Sequence, residues 1–451
     1  MKIILSNYLQ IENAPLDLQA EIKDRLTIVN PVWTENDKMG RWNGDTPHLL
    51  RYYEERYSGL ILPRGFFFQL IGIAKQYRER FQIEDHRRIL PEINFQFYGQ
   101  LRPFQQEVIR TMLFHDMGTL AAPTGAGKTI MALYLISQRK QPALIITHTK
   151  ELLNQWTDRI KQFLGIPSSE TGKIGDGERR MGKKITVALV QTLYKCSSQV
   201  FPHIGCLVVD ECHRAPARTF TKAVSAFDCK FVTGLSATPW RRDRLSKLIF
   251  WYVGNVIHEV KKESLIKTGD VLPVEVIVRE TNFLPQSDPT NEYSQMLSEL
   301  TEDQDRNNLI VQDVVREAQN GSGICLVLSD RKSHCETIHS LLSRKRIKSH
   351  VLTGDLSNGN RKETVEALNS GRIKVLIATG QLIGEGFDCK ELSTLFLTTP
   401  IRFDGRLIQY LGRVLRPAPG KGKARLYDFV DKFVGPLKAA AISRRRVYGS
   451  P

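Results

Sequence analysis

The run Ala122-Pro123-Thr124-Gly125-Ala126-Gly127-Lys128-Thr129 stands between a short apolar stretch, Leu120–Ala122, and an amphipathic one, Thr129–Arg139. Glycines at such spacing let the backbone turn its N–H groups toward a phosphate, and the helix that follows directs its positive end at the same anion. Lys128 can reach the β- and γ-phosphates as a point charge, and the Thr129 hydroxyl can ligate Mg²⁺. Thr124, Gly125, Ala126, Gly127, Lys128 and Thr129 are thus the expected nucleotide cradle. Further on, the apolar run Cys206–Val209 ends in Asp210-Glu211-Cys212-His213. A carboxylate at the end of a strand beside the phosphate-loop strand can hold Mg²⁺, a role that falls to Asp210. Glu211 can then orient or deprotonate the attacking water. The chemistry is cleavage of a nucleoside triphosphate. Cys212 reads as a small packing residue, and no second histidine stands at ligand spacing from His213.

Those residues need strands to carry them. From residue 119 short apolar runs alternate with amphipathic stretches: Leu120–Ala122, Ala143–Thr147, Ile185–Val190, Cys206–Val209 and Phe231–Leu235. Uninterrupted β-branched runs separated by helices predict parallel strands covered on both faces. After the polar stretch 285–305 the pattern begins again with Ile324–Leu328, Ser349–Leu352, Lys374–Ala378, Thr394–Leu397 and Ala424–Phe429. The expected fold class is α/β: two tandem doubly wound parallel-sheet domains, 91–270 and 271–451, preceded by a small α+β domain, 1–90. In that leading domain Gln69–Phe81 is predicted helical and Trp42 is predicted to be a core anchor. The tail after Pro436 is predicted to be mobile at its extremity, and its arginine triplet Arg444–Arg446 reads equally as a loose solvated tail or as a clamp on a polyanion.

Composition narrows the partners. The chain of 451 residues carries a formal charge of +16, of which +10 falls in residues 91–270 and +6 in the last 35, while 1–90 carry only +1. Excess charge gathered in one block suits a polyanion bound along that region. Seven cysteines without a C-x-x-C pair argue against a zinc ribbon or a disulfide framework. No apolar run approaches the roughly 18 residues of a membrane span, so no membrane partner is expected.

The phosphate loop, Asp210-Glu211-Cys212-His213, Ser236-Ala237-Thr238 and Gln409-Tyr410-Leu411-Gly412-Arg413-Val414-Leu415-Arg416 occur in the order seen in superfamily 2 helicases, which residues 100–430 resemble. The resemblance implies two RecA-like lobes that use ATP and Mg²⁺. It implies that Gln105 recognises adenine, that Asp388 in Gly384–Asp388 lies near the ribose, and that Gln409 belongs to the nucleotide site. Ser236 and Thr238, with His213, would couple nucleotide state to motion. Arg413 and Arg416 resemble arginine fingers of the second lobe, and planar guanidiniums suit the charge that develops on a transferred phosphoryl group.

The same resemblance places backbone contacts on loops of both lobes: His148 and Lys150, Gln191 and Thr192, Arg331, and Thr379. Pro239-Trp240-Arg241-Arg242-Asp243 resembles the element that follows the same motif in the XPB/UvsW branch, with Arg242 in place of a glutamate, and adds Arg241 and Arg242 as contacts. Lys38–Gly44 and Leu62–Gly65 resemble the accessory DNA-binding domain that leads the UvsW-like members, with Lys38, Arg41 and Arg64 as its contacts. The implied activity is 3′–5′ movement on, and unwinding or remodelling of, branched DNA in recombination, repair or replication. Partners would be DNA and other recombination or repair proteins, in the cytoplasm of a prokaryote or a phage-infected host cell. An RNA helicase, the motor of a restriction or defence complex, and a weakly hydrolysing nucleic-acid-binding scaffold are the alternatives.

Overall fold

The computed structural model describes residues 1–212, 217–237, 246–321, 323–353, 372–380, 391–400 and 421–448, together with 364, 366–368, 370, 407, 410–412, 414 and 417. It divides into two compact units, Met1–Ala122 with Gly127–Val260, and Pro123–Ala126 with Lys261–Pro451. Each is built around mainly parallel or mixed sheet with helices between the strands.

The leading segment forms a five-stranded sheet from β1 (Lys2–Leu5), β2 (Tyr8–Glu12), β5 (Glu54–Arg56), β6 (Gly59–Pro63) and β7 (Gln82–Asp85), in the order β5-β6-β2-β1-β7. A small ribbon pairs β3 (Thr27–Val29) with β4 (Leu49–Arg51). The predicted helix runs over Phe67–Gln76, buries Leu70, Ile73 and Ala74, and stops before Arg78, whose φ of 55° cannot continue it.

The first lobe has eight strands: β8 (Met117–Ala121), β9 (Ala143–Thr147), β10 (Gly172–Gly175), β11 (Glu178–Arg180), β12 (Ile185–Leu189), β13 (Cys206–Val209), β14 (Phe231–Ser236) and β15 (Val256–Glu259). Their order is β11-β10-β12-β9-β13-β14-β8-β15, parallel except for the β10–β11 hairpin. β8, β9, β12 and β13 are buried at every residue, which is why they read as unbroken apolar runs. The unit closes at Val260 because β15 joins β8 as the last strand of this sheet.

The leading sheet does not stand apart from this lobe. Ile3, Leu9, Phe66 and Leu70 belong to one apolar core with Leu207, Phe227, Ile249 and Trp251. Tyr52 meets Trp251 with ring centroids 5.3 Å apart, Asn7 Nδ2 donates to the Ser225 carbonyl at 2.7 Å, and Arg88 pairs with Asp228. Gly65 comes so close to the helix Ser246–Val253 that a Cβ there would stand 2.4 Å from the Phe250 carbonyl oxygen. Only glycine fits that approach.

Two expectations for this segment are corrected here. Arg64 is not a surface contact: it is 1% exposed, and its Nη1 donates to the Cys229 carbonyl at 3.0 Å. It ties the leading sheet to the lobe, and a buried guanidinium cannot reach a phosphate backbone. Trp42 is not a core anchor either, since its indole is 92% exposed.

The second unit carries β16 (Val274–Thr281), β17 (Ile324–Ser329), β18 (Ser349–Leu352), β19 (Val375–Thr379), β20 (Leu392–Leu397) and β21 (Ala424–Asp431), all parallel, in the order β16-β21-β20-β17-β19-β18. The terminal arginines do not form a loose tail. They lie in the helix Gly435–Tyr448, and Arg444 Nη2 reaches Asp428 Oδ1 at 2.7 Å with both side chains buried. Tyr448 donates its hydroxyl to the other oxygen of Asp428. That pairing docks the helix on β21.

Candidate active site

The phosphate loop leaves β8 and enters the 12-residue helix Lys128–Arg139. Gly125 and Gly127 have φ of +93° and +83°, the left-handed turn that opens a loop around an anion. A side chain at 127 would also stand 2.5 Å from Gln105 Nε2, so Gln105 is seated directly against the loop. Gln105 is buried at the start of the helix Pro103–Leu113, where its Oε1 accepts from the Arg102 N–H at 3.0 Å. Lys128 Nζ donates to the Ala122 carbonyl at 3.0 Å, which places the ammonium at the loop's own mouth. The Thr124 hydroxyl oxygen is buried with no hydrogen-bond partner among the described residues. Left-handed glycines, a helix N-terminus, an ammonium and an unspent hydroxyl are a donor set that fits a polyphosphate.

Asp210 and Glu211 follow β13. One correction concerns their neighbourhood: β13 is not next to β8, because β14 lies between them. Ser236, the last residue of β14, therefore sits at the ends of strands flanked by the phosphate loop on one side and the acidic pair on the other. Its carbonyl accepts from the Ala122 N–H at 2.9 Å, and its side chain is fully buried.

The Asp210 carboxylate is held at both oxygens. Oδ2 accepts from the indole Nε1 of Trp156 at 2.8 Å, and Oδ1 accepts from the Glu211 N–H at 2.9 Å. Burial raises the pKa of Asp210 above the usual carboxylate range, and the Glu211 charge pushes the same way; the Trp156 bond and Lys128 oppose them. A cation would restore the ionised form, so this carboxylate suits Mg²⁺. Glu211 has φ of +45°, a left-handed conformation uncommon outside glycine that aims its side chain differently from its neighbour's. Cys212 is buried, and burial with the two neighbouring carboxylates drives its thiol far up, away from any nucleophilic role.

Trp156 went unnoticed in the sequence because Leu153, Trp156, Ile160 and Leu164 form an ordinary apolar helix face. The available signal was the indole N–H, which needs a partner when buried.

Of the expected backbone contacts, His148 and Gln191 come together at the ends of β9 and β12, with Gln191 Nε2 donating to the His148 carbonyl at 3.4 Å. Lys150 is exposed but ion-paired with Asp176 at 2.5 Å, at the turn of the β10–β11 hairpin. Thr192 is half-buried in the short helix Val190–Leu193. In the second unit Arg331 is half-buried and donates to the carbonyl and hydroxyl oxygens of Ser294, both at 3.0 Å, and Thr379 ends β19. Lys38 and Arg41 are exposed. His213, Thr238, Arg241, Arg242, Asp388, Gln409, Arg413 and Arg416 lie outside the described residues. Among the described residues no helix is long and apolar enough to cross a membrane.

Residues 98–241 match the family model described as type III restriction enzyme, res subunit, and residues 306–418 match the helicase conserved C-terminal domain. The chain is 25% identical over 419 residues to L396 of Acanthamoeba polyphaga mimivirus, an inferred ATP-dependent RNA helicase, covering 88% of this chain and 75% of that one. It is 30% identical over 201 residues to the DNA 3′-5′ translocase XPB2 of Sulfurisphaera tokodaii, covering 44% of this chain and 45% of that one. It is 23% identical over 361 residues to the ATP-dependent DNA helicase uvsW of Enterobacteria phage T4, covering 76% of this chain and 71% of that one. With both helicase domains in order, the chain is an ATP-hydrolysing superfamily 2 helicase, and its relatives include members of the XPB/UvsW-like branch.

Proposed function

We propose that the chain is an ATP-driven DNA translocase that moves 3′ to 5′ and unwinds or remodels branched DNA. The observation that carries this reading is the strand order β13-β14-β8, which sets Asp210–Glu211, Ser236 and the phosphate loop on three consecutive strands. The printed activities of the archaeal and T4 relatives supply the direction and the choice of DNA.

In this reading the loop's N–H groups and Lys128 bind the β- and γ-phosphates, and Gln105 meets the adenine. Thr129 and Asp210 would hold Mg²⁺, which would supply charge neutralisation at the phosphates. Glu211 takes the proton of the attacking water, and Arg413 and Arg416 complete the charge at the γ-phosphate. Ser236 and Thr238 relay the loss of that phosphate to the strand contacts. His148, Lys150, Gln191, Thr192, Arg241, Arg242, Arg331 and Thr379 grip the phosphate backbone without reading bases.

Phosphate release measured with RNA, single-stranded DNA and forked DNA tests this reading. DNA should stimulate more than RNA, and Glu211→Gln should lower the stimulated rate by about 10²–10⁴-fold while ATP still binds. Equal rates in wild type and Glu211→Gln would leave a nucleic-acid-binding scaffold. A second reading, an RNA helicase, is favoured by the name of the mimivirus relative; stronger stimulation by RNA would select it.

A further inference from the structure

Trp42 stands on a loop too well fixed for its exposure to be incidental. The helix Pro31–Lys38 ends at Met39, and Gly40, with φ +62°, turns the chain back. The Arg41 N–H donates to the Asn36 carbonyl at 2.8 Å. Asn36 Nδ2 donates to Asn43 Oδ1 at 3.2 Å, Asn43 Nδ2 donates to the Trp33 carbonyl at 3.4 Å, and the Thr46 N–H donates to the Asn43 carbonyl at 2.8 Å. The backbone is therefore pinned on both sides of Trp42.

The indole lies over Gly44: a Cβ at that residue would stand 3.3–3.5 Å from three ring carbons. Only an edge of the six-membered ring comes near the turn, and at 92% exposure the flat of the indole meets solvent. An indole buried in a core is a large source of stability, and this one contributes almost none of it to the fold. Lys38 and Arg41 precede it within four residues, both exposed, and neither side chain makes a hydrogen bond or ion pair with the described residues. An open π face on the same loop as two uncommitted cations matches an unpaired nucleobase and its neighbouring phosphates. Glu35, Asp37 and Asp45 share the segment, so its net charge is close to zero. Those acids disfavour an anionic membrane surface and make stacking, not bulk charge, the source of affinity.

We propose that Trp42 is a stacking platform for an unpaired base of single-stranded nucleic acid, with Lys38 and Arg41 holding the adjacent phosphates. The proposal rests on the nucleic-acid motor reading above and adds a site to it.

The test is fluorescence anisotropy of fluorescein-labelled oligo(dT) with the full chain and no nucleotide, across a salt series. Trp42→Ala should weaken binding about five- to tenfold, and Trp42→Phe should recover most of it. The salt slope should be unchanged in Trp42→Ala and shallower by about 1.4 in the Lys38→Ala/Arg41→Ala pair, two contacts at about 0.7 each. Unstimulated ATPase and melting temperature should match wild type in Trp42→Ala.

Equal oligo(dT) affinity for wild type and Trp42→Ala overturns the platform, as does a Trp42→Phe variant as weak as Trp42→Ala. A change in sedimentation from dimer to monomer in Trp42→Ala would assign the indole to self-association and overturn it too. Absence of any ATPase stimulation of wild type by DNA or RNA would remove the motor reading itself. Stimulation with unchanged Trp42→Ala binding would remove only the platform.

Discussion

Trp156 donates its indole N–H to Asp210 at 2.8 Å, across 54 residues of chain, and both side chains are buried. The bond takes one carboxylate oxygen and leaves the other, which already accepts from the Glu211 N–H, as the edge available to a cation. Trp156→Phe should therefore loosen the orientation of Asp210. Residues that orient a metal-binding side chain typically change metal affinity 10–100-fold, so the Mg²⁺ concentration for half-maximal nucleotide binding should rise by about tenfold. Titration of Mg²⁺ against a fluorescent ATP analogue reads this directly. An unchanged Mg²⁺ midpoint would show that the indole only packs.

Arg64 carries a prediction opposite in sign to the usual one for a buried ion. Burial holds its pKa below the ordinary guanidinium value, and its Nε and Nη2 have no hydrogen-bond partner among the described residues. Losing its bond to the Cys229 carbonyl costs about 1.5–3 kcal/mol. Removing the buried charge, which has no carboxylate in hydrogen-bond contact among the described residues, returns several kcal/mol of desolvation. Arg64→Met should thus melt at or above the wild-type temperature, with DNA affinity unchanged. A clear drop in Tm would show that the guanidinium is better satisfied than its contacts indicate.

Arg444 behaves differently because its partner is a carboxylate. Asp428 is fully buried between Arg444 and Tyr448. Arg444→Ala would strand that charge, at a cost of about 3–5 kcal/mol. Denaturant unfolding should show the loss, and Asp428→Asn on top of Arg444→Ala should recover part of it. If Arg444→Ala unfolds like wild type, the terminal helix is not docked in solution.

His334 makes the second unit acid-sensitive. Its ring nitrogens meet Ser329 Oγ at 3.0 Å and Asn307 Oδ1 at 2.8 Å, and burial, with the Arg306 charge, lowers its pKa to about 3. An unfolded histidine titrates near 6.5, so the unfolded chain binds the extra proton between pH 6.5 and about 3. The contribution is whole above 6.5 and is lost as pH falls through that window. At pH 5 the loss should be about 2 kcal/mol from this group. Urea unfolding at pH 7.5 and 5.0 should show a pH difference smaller by about that amount in His334→Asn than in wild type.

What was legible in the sequence followed from locality. Ala143–Thr147 and Cys206–Val209 are legible to the residue because a strand buried on both faces has no reason to admit a charge. The phosphate loop was legible because its parts lie within eight consecutive residues. The β10–β11 hairpin was missed although Gly175-Asp176-Gly177 marks a turn, since Glu178–Arg180 stand at a sheet edge and show no apolar run. Trp42, Arg64 and Arg444 were misjudged for a common reason. Whether an indole or a guanidinium is buried depends on a surface supplied by distant chain, such as the Cys229 carbonyl for Arg64. The neighbour of β13 was likewise a matter of sheet order, which spacing along the chain does not encode.

The common interior of the leading sheet and the first lobe limits what amputation can teach. Cutting the chain after residue 90 would strip Tyr52 from Trp251 and the Arg64–Phe66 turn from the helix beneath it, leaving bare greasy surface on the remnant. Such a fragment would clump or be held by chaperones whatever the leading sheet does for nucleic acid. Its task has to be dissected one side chain at a time, on the intact polypeptide.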